Sequence, residues 1–394
     1  MSLDIGAVQT VLGTDAVEGW LLYDFHGSNP IARKIVGLDS STKTTRRWYY
    51  FIPASGEPRK LVHAIEPGVL DGVPGSKTRY AERQELEERL AALVGGATIV
   101  AMEFSPECAI PYLARVDAGT VDLLRRLGHT VVSSGDLVQR FEAAWDDAAI
   151  ATHQAASESL HRIKDRTFDF VGARLSAGEG PTEFEIQQQM MKWFGEEGLV
   201  TDHAPIVAIQ EHAGNPHFEP SPDDPRRIKP NEALLLDLWG KQTQGGAVYA
   251  DITWMGFAGD PTPEVAEAFG VIVAGRDAAV EKVQTAVASG TPIHGWEVDR
   301  ATRDVIDAAG FGDFFIHRTG HSLGDEVHGN GVHMDDYETH DDRRLVTGTG
   351  FTIEPGIYNE RFGVRTEINM VVGEASAEVT GPRQVELVRI ATGR

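Results

Sequence analysis

Residues 233–257 read ALLLDLWGKQTQGGAVYADITWMGF, two apolar runs around a glycine-rich turn. Gln244-Gly245-Gly246 carries the turn chemistry. The first run places a carboxylate, Asp237, after three leucines, and the second holds Asp251 in mid-strand. A hairpin centred near Gln244 sets the two acids directly opposite each other, with Cβ atoms about 5 Å apart. Carboxylates that close repel unless protons or cations intervene. The alternative, a solvated acidic pair on an exposed sheet, is opposed by the apolar flanks.

Outward from the hairpin, strand patterns cover 204–209, 351–354, 364–372 and 385–390. Helices are expected over about 149–175, with Ala156, Leu160, Ile163, Thr167 and Val171 as its stripe, and from Thr182, where Glu185 stands at capping-box spacing. Met190 and Met191 in that second helix read as core. Thr262-Pro263 opens a third helix that stops at Gly290, and 297–309 forms a fourth that stops at Gly310. Helices packed on a largely antiparallel sheet make an α+β domain, 149–394. Residues 1–148 read instead as a smaller α/β module. Trp20–Tyr23, Trp48–Ile52 and Thr98–Met102 are strand-like, and Leu86, Leu90 and Leu93 give 81–93 a helical stripe.

Three further segments carry metal-binding or acid–base side chains. His317-Arg318-Thr319-Gly320-His321-Ser322-Leu323-Gly324 has two histidines at helical spacing, but its glycines argue for loop or strand, and it lacks the acid of the helical zinc-protease signature. His328 follows seven residues on. Thr352-Ile353-Glu354-Pro355-Gly356 puts an acid at a strand end. In Val364–Val371, strict alternation places Arg365, Glu367 and Asn369 on one face. Each histidine alone reads as a hydrogen-bonded structural residue, and Arg with Glu on one strand as a surface pair. Together, Asp237, Asp251, His321, Glu354 and Glu367 form the donor set that two hard divalent cations require.

Composition bounds the rest. The net charge of −23, from 36 Lys+Arg against 59 Asp+Glu, argues against nucleic-acid binding, where phosphates demand a basic face. No run of about 18 apolar residues suggests a membrane span. The opening MSLDIGAVQT has no basic segment followed by an apolar one, so no secretory leader is expected. Cys108 is the single cysteine and cannot form an internal disulfide, which fits a reducing cytoplasm; it is expected to be a small buried hydrophobe.

The order Asp, Asp, His, Glu, Glu, with HRTGHSLG, the Glu-Pro-Gly turn and the Arg-x-Glu strand, resembles the proline-specific "pita-bread" metallopeptidases, prolidase (Xaa-Pro dipeptidase) and aminopeptidase P among them. The resemblance covers about 150–394 by motif and, more loosely, a creatinase-type non-catalytic N-terminal domain. It implies a pita-bread catalytic domain that hydrolyses Xaa-Pro bonds in dipeptides or short peptides. It also implies two divalent cations, with Mn²⁺ suited to the oxygen-rich set and Co²⁺ or Zn²⁺ as substitutes. By the same resemblance Asp237 chelates one metal, Asp251 and Glu367 bridge, and His321 and Glu354 complete the other. Glu354 is the implied general base. His328 is implied to hydrogen-bond the scissile carbonyl, His317 to line the proline pocket and His217, in Asn215-Pro216-His217-Phe218, to contact substrate. Arg365 is implied to support Glu367 or Asp237, and a homodimer is implied by analogy. Arg343 and Arg344, in the acid- and histidine-rich loop 332–344, are candidates for gripping a substrate carboxylate, ordinary surface charge being the alternative. The expectation is an Xaa-Pro dipeptidase. The alternatives are an aminopeptidase P-type enzyme, a metal-free creatinase-like amidinohydrolase, which the five retained donors disfavour, and a non-enzymatic peptide-binding protein of the same fold.

Overall fold

The computed structural model describes residues 3–39 and 41–393. The chain divides into two compact units, with the division between Glu142 and Ala143. Trp145 belongs with the second: its amide donates to the Gly348 carbonyl and its ring packs among Val248, Tyr249 and Leu323.

The N-terminal unit is a six-stranded mixed sheet. Its strands are β1 (Gly19–Asp24), β2 (Trp48–Pro53), β3 (Arg59–His63), β4 (Ser76–Tyr80), β5 (Ile99–Met102) and β6 (Thr130–Ser133), in the order β4-β3-β2-β1-β5-β6. Both faces are covered. Trp20, Leu22, Tyr50 and Ile52 pack under helices α1 (Ile5–Thr14) and α2 (Pro30–Ile35), while Leu21, Tyr23, Tyr49 and Phe51 pack under α3 (Arg83–Val94) and α4 (Ala118–Arg126). Strands buried on both sides lose the polar half of their alternation, which explains the near-continuous apolar runs of β1 and β2. β3, β4 and β6 escape sequence recognition. β4 reads Ser-Lys-Thr-Arg-Tyr because it is an edge, where charge guards an unpaired backbone. Cys108 is exposed, not buried; it stands at φ +57° beside Glu107 in a turn after β5, whose left-handed backbone turns its side chain outward.

In the second unit, α5 (Gly135–Val138) having closed the first, α6 (Asp147–Ser176) and α7 (Glu183–Glu196) cover one face of a five-stranded sheet. α7 starts with the Thr182/Glu185 capping box. Met190 is core, whereas Met191 is only half-buried. The sheet contains β7 (Leu199–Val200), β8 (Ile206–Ile209), β9 (Ala233–Gln242) and β10 (Ala250–Ala258). Helix α8 (Pro263–Ser289) runs from the Thr262 cap to a left-handed Gly290, and α9 (Gly295–Ala308) packs along it. A second sheet has β11 (Ser322–Leu323), β12 (Gly350–Ile353), β15 (Ile368–Val372) and β16 (Ala377–Thr380). The short pair β13 (Gly356–Tyr358) and β14 (Gly363–Arg365) stands apart, and β17 (Val388–Ile390) adds to β10 in parallel. α8 spans both halves. Val265, Phe269 and Ile272 cover β9 and β10, while Val280 and Val283 cover β12 and β15.

Two sequence expectations need correction here. The hairpin pairs Asp237 with Thr253 and Asp251 with Trp239, so the acids are diagonal neighbours and not directly opposed. The turn is centred one residue later than Gln244, and a two-residue slip between partners preserves parity, so both acids still share a face. The 364–372 strand is broken between β14 and β15, although Arg365, Glu367 and Asn369 all still turn toward β10.

Candidate metal centre

Leu236, Leu238 and Ile252 point into the core under α6 and α7. Alternation therefore sends Asp237, Asp251 and Thr253 to the opposite face, toward the second sheet. The two sheets meet there: the Asn369 side chain clasps the backbone N–H and carbonyl of Asp251, and the Glu367 amide donates to the Thr253 carbonyl at 3.2 Å. His321 arrives just before β11 and Glu354 just after β12. Their backbones are bound to one another through Thr352, whose amide donates to the His321 carbonyl and whose hydroxyl accepts from the His321 amide.

Ligating atoms of Asp251, His321 and Glu367 all lie within 4.8 Å of one another, and all three residues are buried. His321 Nε2 stands 3.6 Å from Asp251 Oδ2 and 3.4 Å from Glu354 Oε1. Donors about 2.1 Å from one ion stand roughly 3–3.5 Å apart, so these separations are close to those of a coordination shell. His321 Nδ1 faces the Ser322 carbonyl at 3.1 Å, which can only accept; the ring proton belongs there, and Nε2 keeps its lone pair. Asp251 Oδ1 and Glu367 Oε1 are buried with no hydrogen-bond partner. Buried carboxylate oxygens without donors are costly unless a cation meets them. The residues present thus fit a divalent metal ion.

The electrostatics agree. Burial, then the charges of Asp237 and Glu354, raise Asp251 well above the carboxylate range; burial, then Asp251, Glu354 and Asp237, do the same to Glu367. Asp237 is raised by burial against the pull of Arg365, whose guanidinium it contacts. Burial also pushes Glu354 upward, but His321, His317 and Arg365 outweigh it and hold this carboxyl below its usual value. Four acids facing one arginine form a cluster that needs protons or cations to persist.

Arg365 is buried and organises the floor of the site. It donates to Thr253 Oγ1 at 3.0 Å, to Tyr358 Oη at 3.2 Å and to the Pro216 carbonyl at 3.4 Å, besides Asp237. Thr253 passes the contact on, donating to Glu367 Oε2 at 2.8 Å. His317 lies on Phe315, its Nε2 2.8 Å from Tyr358 Oη, and burial lowers its pKa to about 4. The His328 ring stands 4.4 Å from that of His321; part of the residue is exposed, but the protein packed around the ring lowers its pKa to about 3. His217 is exposed on the segment whose Pro216 touches Arg365.

Arg343 is not free to grip a substrate. It is buried, paired with Asp341 and bonded to the carbonyls of Asn330 and Gly331. Two acids of loop 332–344 are likewise consumed locally: Asp335 caps Tyr337, Glu338 and Thr339, and Asp341 holds the His333 amide. Thr253, Thr352 and Tyr358 escaped sequence recognition. Thr253 was findable, lying two residues beyond Asp251 on the same face; Tyr358 sends no such signal.

A family model described as Metallopeptidase family M24 matches residues 146–374. A probable dipeptidase PepE of Mycobacterium tuberculosis is 26% identical over 332 residues, covering 83% of this chain and 81% of that protein. Among solved structures, the dipeptidase PepE from Mycobacterium ulcerans superposes with a TM-score of 0.70 at 25% identity, covering 98% of this chain and 97% of that one. A dipeptidase from Pyrococcus horikoshii OT3 gives 0.64 at 25% identity, with 98% and 99% covered.

Proposed function

Since the chain belongs to metallopeptidase family M24, whose model spans residues 146–374, we propose that this peptidase is an Xaa-Pro dipeptidase with a dinuclear metal centre. Asp237, Asp251, His321, Glu354 and Glu367 would hold the two ions. One observation carries the reading: Asp251 Oδ1 and Glu367 Oε1 are buried without a donor beside the lone pair of His321 Nε2. Four carboxylates and one imidazole favour Mn²⁺, with Co²⁺ or Zn²⁺ as substitutes. Relatives named dipeptidase, matched over most of their length, support dipeptides as substrates. Beside the centre, the His317 ring stands edge-on to the buried Phe315 and against Tyr358, offering one side of its imidazole to a proline ring.

When bound, the ions supply Lewis-acid polarisation of the scissile carbonyl and acidify water near neutral pH. Glu354, whose carboxyl is held below its usual value, takes the proton of the attacking water and returns it to the prolyl nitrogen. That nitrogen carries no hydrogen in the peptide, so the leaving group depends on this delivery. His328 keeps a neutral ring, burial and the neighbouring His321 both disfavouring its cation, and donates one N–H to the developing oxyanion. His317, fixed by Tyr358, orients the proline, and His217 borders the substrate. Arg365 keeps Asp237 and, through Thr253, Glu367 in place.

Metal analysis of the purified protein alongside Ala-Pro, Ala-Ala and a longer Xaa-Pro peptide tests the reading. Ala-Pro cleaved in preference to both others, with loss of metal and activity in Glu367→Ala and Asp251→Ala, is the expected result. Full activity in a metal-depleted Glu367→Ala protein would end it, and preference for the longer peptide would turn it to the aminopeptidase. Glu354→Gln should keep metal and lose turnover. A cytoplasmic homodimer completes the reading: the lone Cys108 suits a reducing compartment, and sedimentation tests the dimer.

A further inference from the structure

We propose that Asp202 is the carboxylate that docks the free α-ammonium of the peptide, and so sets this enzyme's preference for an unblocked amino terminus. The inference rests on the dipeptide reading above. β7 pairs with β9 at Leu199–Gln242 and Val200–Lys241, and β8 joins the same strand at Ile206–Asp237. Residues 201–205 must therefore pass alongside Trp239. Trp239 is the Cα partner of Asp251 and stands two residues beyond Asp237, so its side chain leaves the sheet on the face that carries both acids. Its indole N–H donates to Asp202 Oδ1 at 2.6 Å, which hangs the Asp202 carboxylate over the metal-facing side.

The charge of Asp202 is felt at the proposed ligand Asp251, at His328 and at the Tyr249 hydroxyl. Partial burial pushes its own carboxyl up, but the Trp239 indole and His203 outweigh that and keep it ionised. Oδ2 lies 3.3 Å from His203 Nδ1, and 44% of the side chain is open to solvent. The result is an anion fixed through Oδ1, which accepts from the Trp239 indole and the His203 amide, while Oδ2 is shared between the exposed His203 imidazole and solvent. The five residues of the metal centre point at one another, at Arg365 or at the ions they would hold; Asp202 is a neighbouring acid outside that set. An α-amino group with a pKa near 8 is about nine-tenths protonated at pH 7, the cation such a carboxylate attracts. A purely structural role, holding Trp239 in place, is separable, because Asn keeps an oxygen acceptor for the indole and removes only the charge.

The test uses the metal-loaded full chain. KM for Ala-Pro and the inhibition constant of N-acetyl-Ala-Pro are measured for wild type, Asp202→Asn and Asp202→Glu, with metal content as the folding control. In Asp202→Asn, KM for Ala-Pro should rise roughly two- to fivefold, as expected of a charge pair half open to water. In the same variant kcat should change little and the affinity for the acetylated peptide should hold, while Asp202→Glu should recover part of the loss. An unchanged KM, or equal weakening of both peptides, overturns the inference, as does a wild type that binds the acetylated peptide as tightly as the free one. Failure of the wild type to cut Ala-Pro would count against the proline reading alone. The same comparison on Ala-Ala and N-acetyl-Ala-Ala, read by calorimetric binding, then decides the role of Asp202.

Discussion

Thr253 carries no charge and binds no metal in the proposed set, yet its hydroxyl stands between Arg365 Nε and Glu367 Oε2. Valine in its place keeps the volume and removes both bonds. Thr253→Val should weaken metal binding roughly 10- to 100-fold, the scale of losing a partner that orients a ligand. Isothermal titration with Mn²⁺ measures it, and wild-type affinity would show that Glu367 needs no such support. The acids and histidines were legible because those side chains are rare at strand ends unless paired or bound. A threonine in a strand is ordinary, and Tyr358 could stand anywhere.

Elements are held as tightly as ligands. Gly320 lies directly before His321, and an added Cβ would stand 2.0 Å from the Thr352 carbonyl oxygen. Gly320→Ala must therefore push the His321 segment off β12. A stability loss of about 1–3 kcal/mol, the cost of overpacking, should come with reduced metal affinity; denaturant melts and metal titration together check it, and wild-type values in both would refute the contact. His153 ties α6 to both sheets through the Tyr249 carbonyl at 2.8 Å and Thr380 Oγ1 at 2.7 Å. Burial lowers its pKa to about 4, against the raising effect of the Tyr249 bond. An imidazole neutral in the fold and basic when unfolded stabilises fully above pH 6.5, and that stability drains as pH falls from about 6.5 toward 4. The loss is roughly 3 kcal/mol from this group. Urea midpoints between pH 7.5 and 4.5 should fall more steeply in wild type than in His153→Gln, and parallel curves would remove His153 as the cause. At this scale parity was readable, because alternation fixes a face. Register was not, because a two-residue slip leaves the same side chains inward.

Across the whole molecule, the proposed metal centre should tie the stability of residues 143–394 to cations, because its acids are buried together. Saturating metal at 100 times the dissociation constant should stabilise the folded state by about 2.7 kcal/mol. The thermal midpoint should rise with added Mn²⁺ and fall with a chelator, while Glu367→Ala should be insensitive to both. A midpoint indifferent to metal in the wild type would mean that the acids are held by protons instead. The N-terminal unit carries no comparable group of metal-binding side chains among the described residues.

The sequence by itself determined which residues alternate, where α7 begins, roughly where α6, α8 and α9 begin and end, and that five metal-binding side chains recur in or beside apolar strands. These are local matters of period, cap and composition. Only the tertiary structure decided which donors face each other, that the 364–372 strand breaks, that Arg343 is spent on Asp341, and that Asp202 is bonded by the Trp239 indole. Such contacts join residues far apart in the chain, and no periodicity records how two sheets and a long helix close on one another.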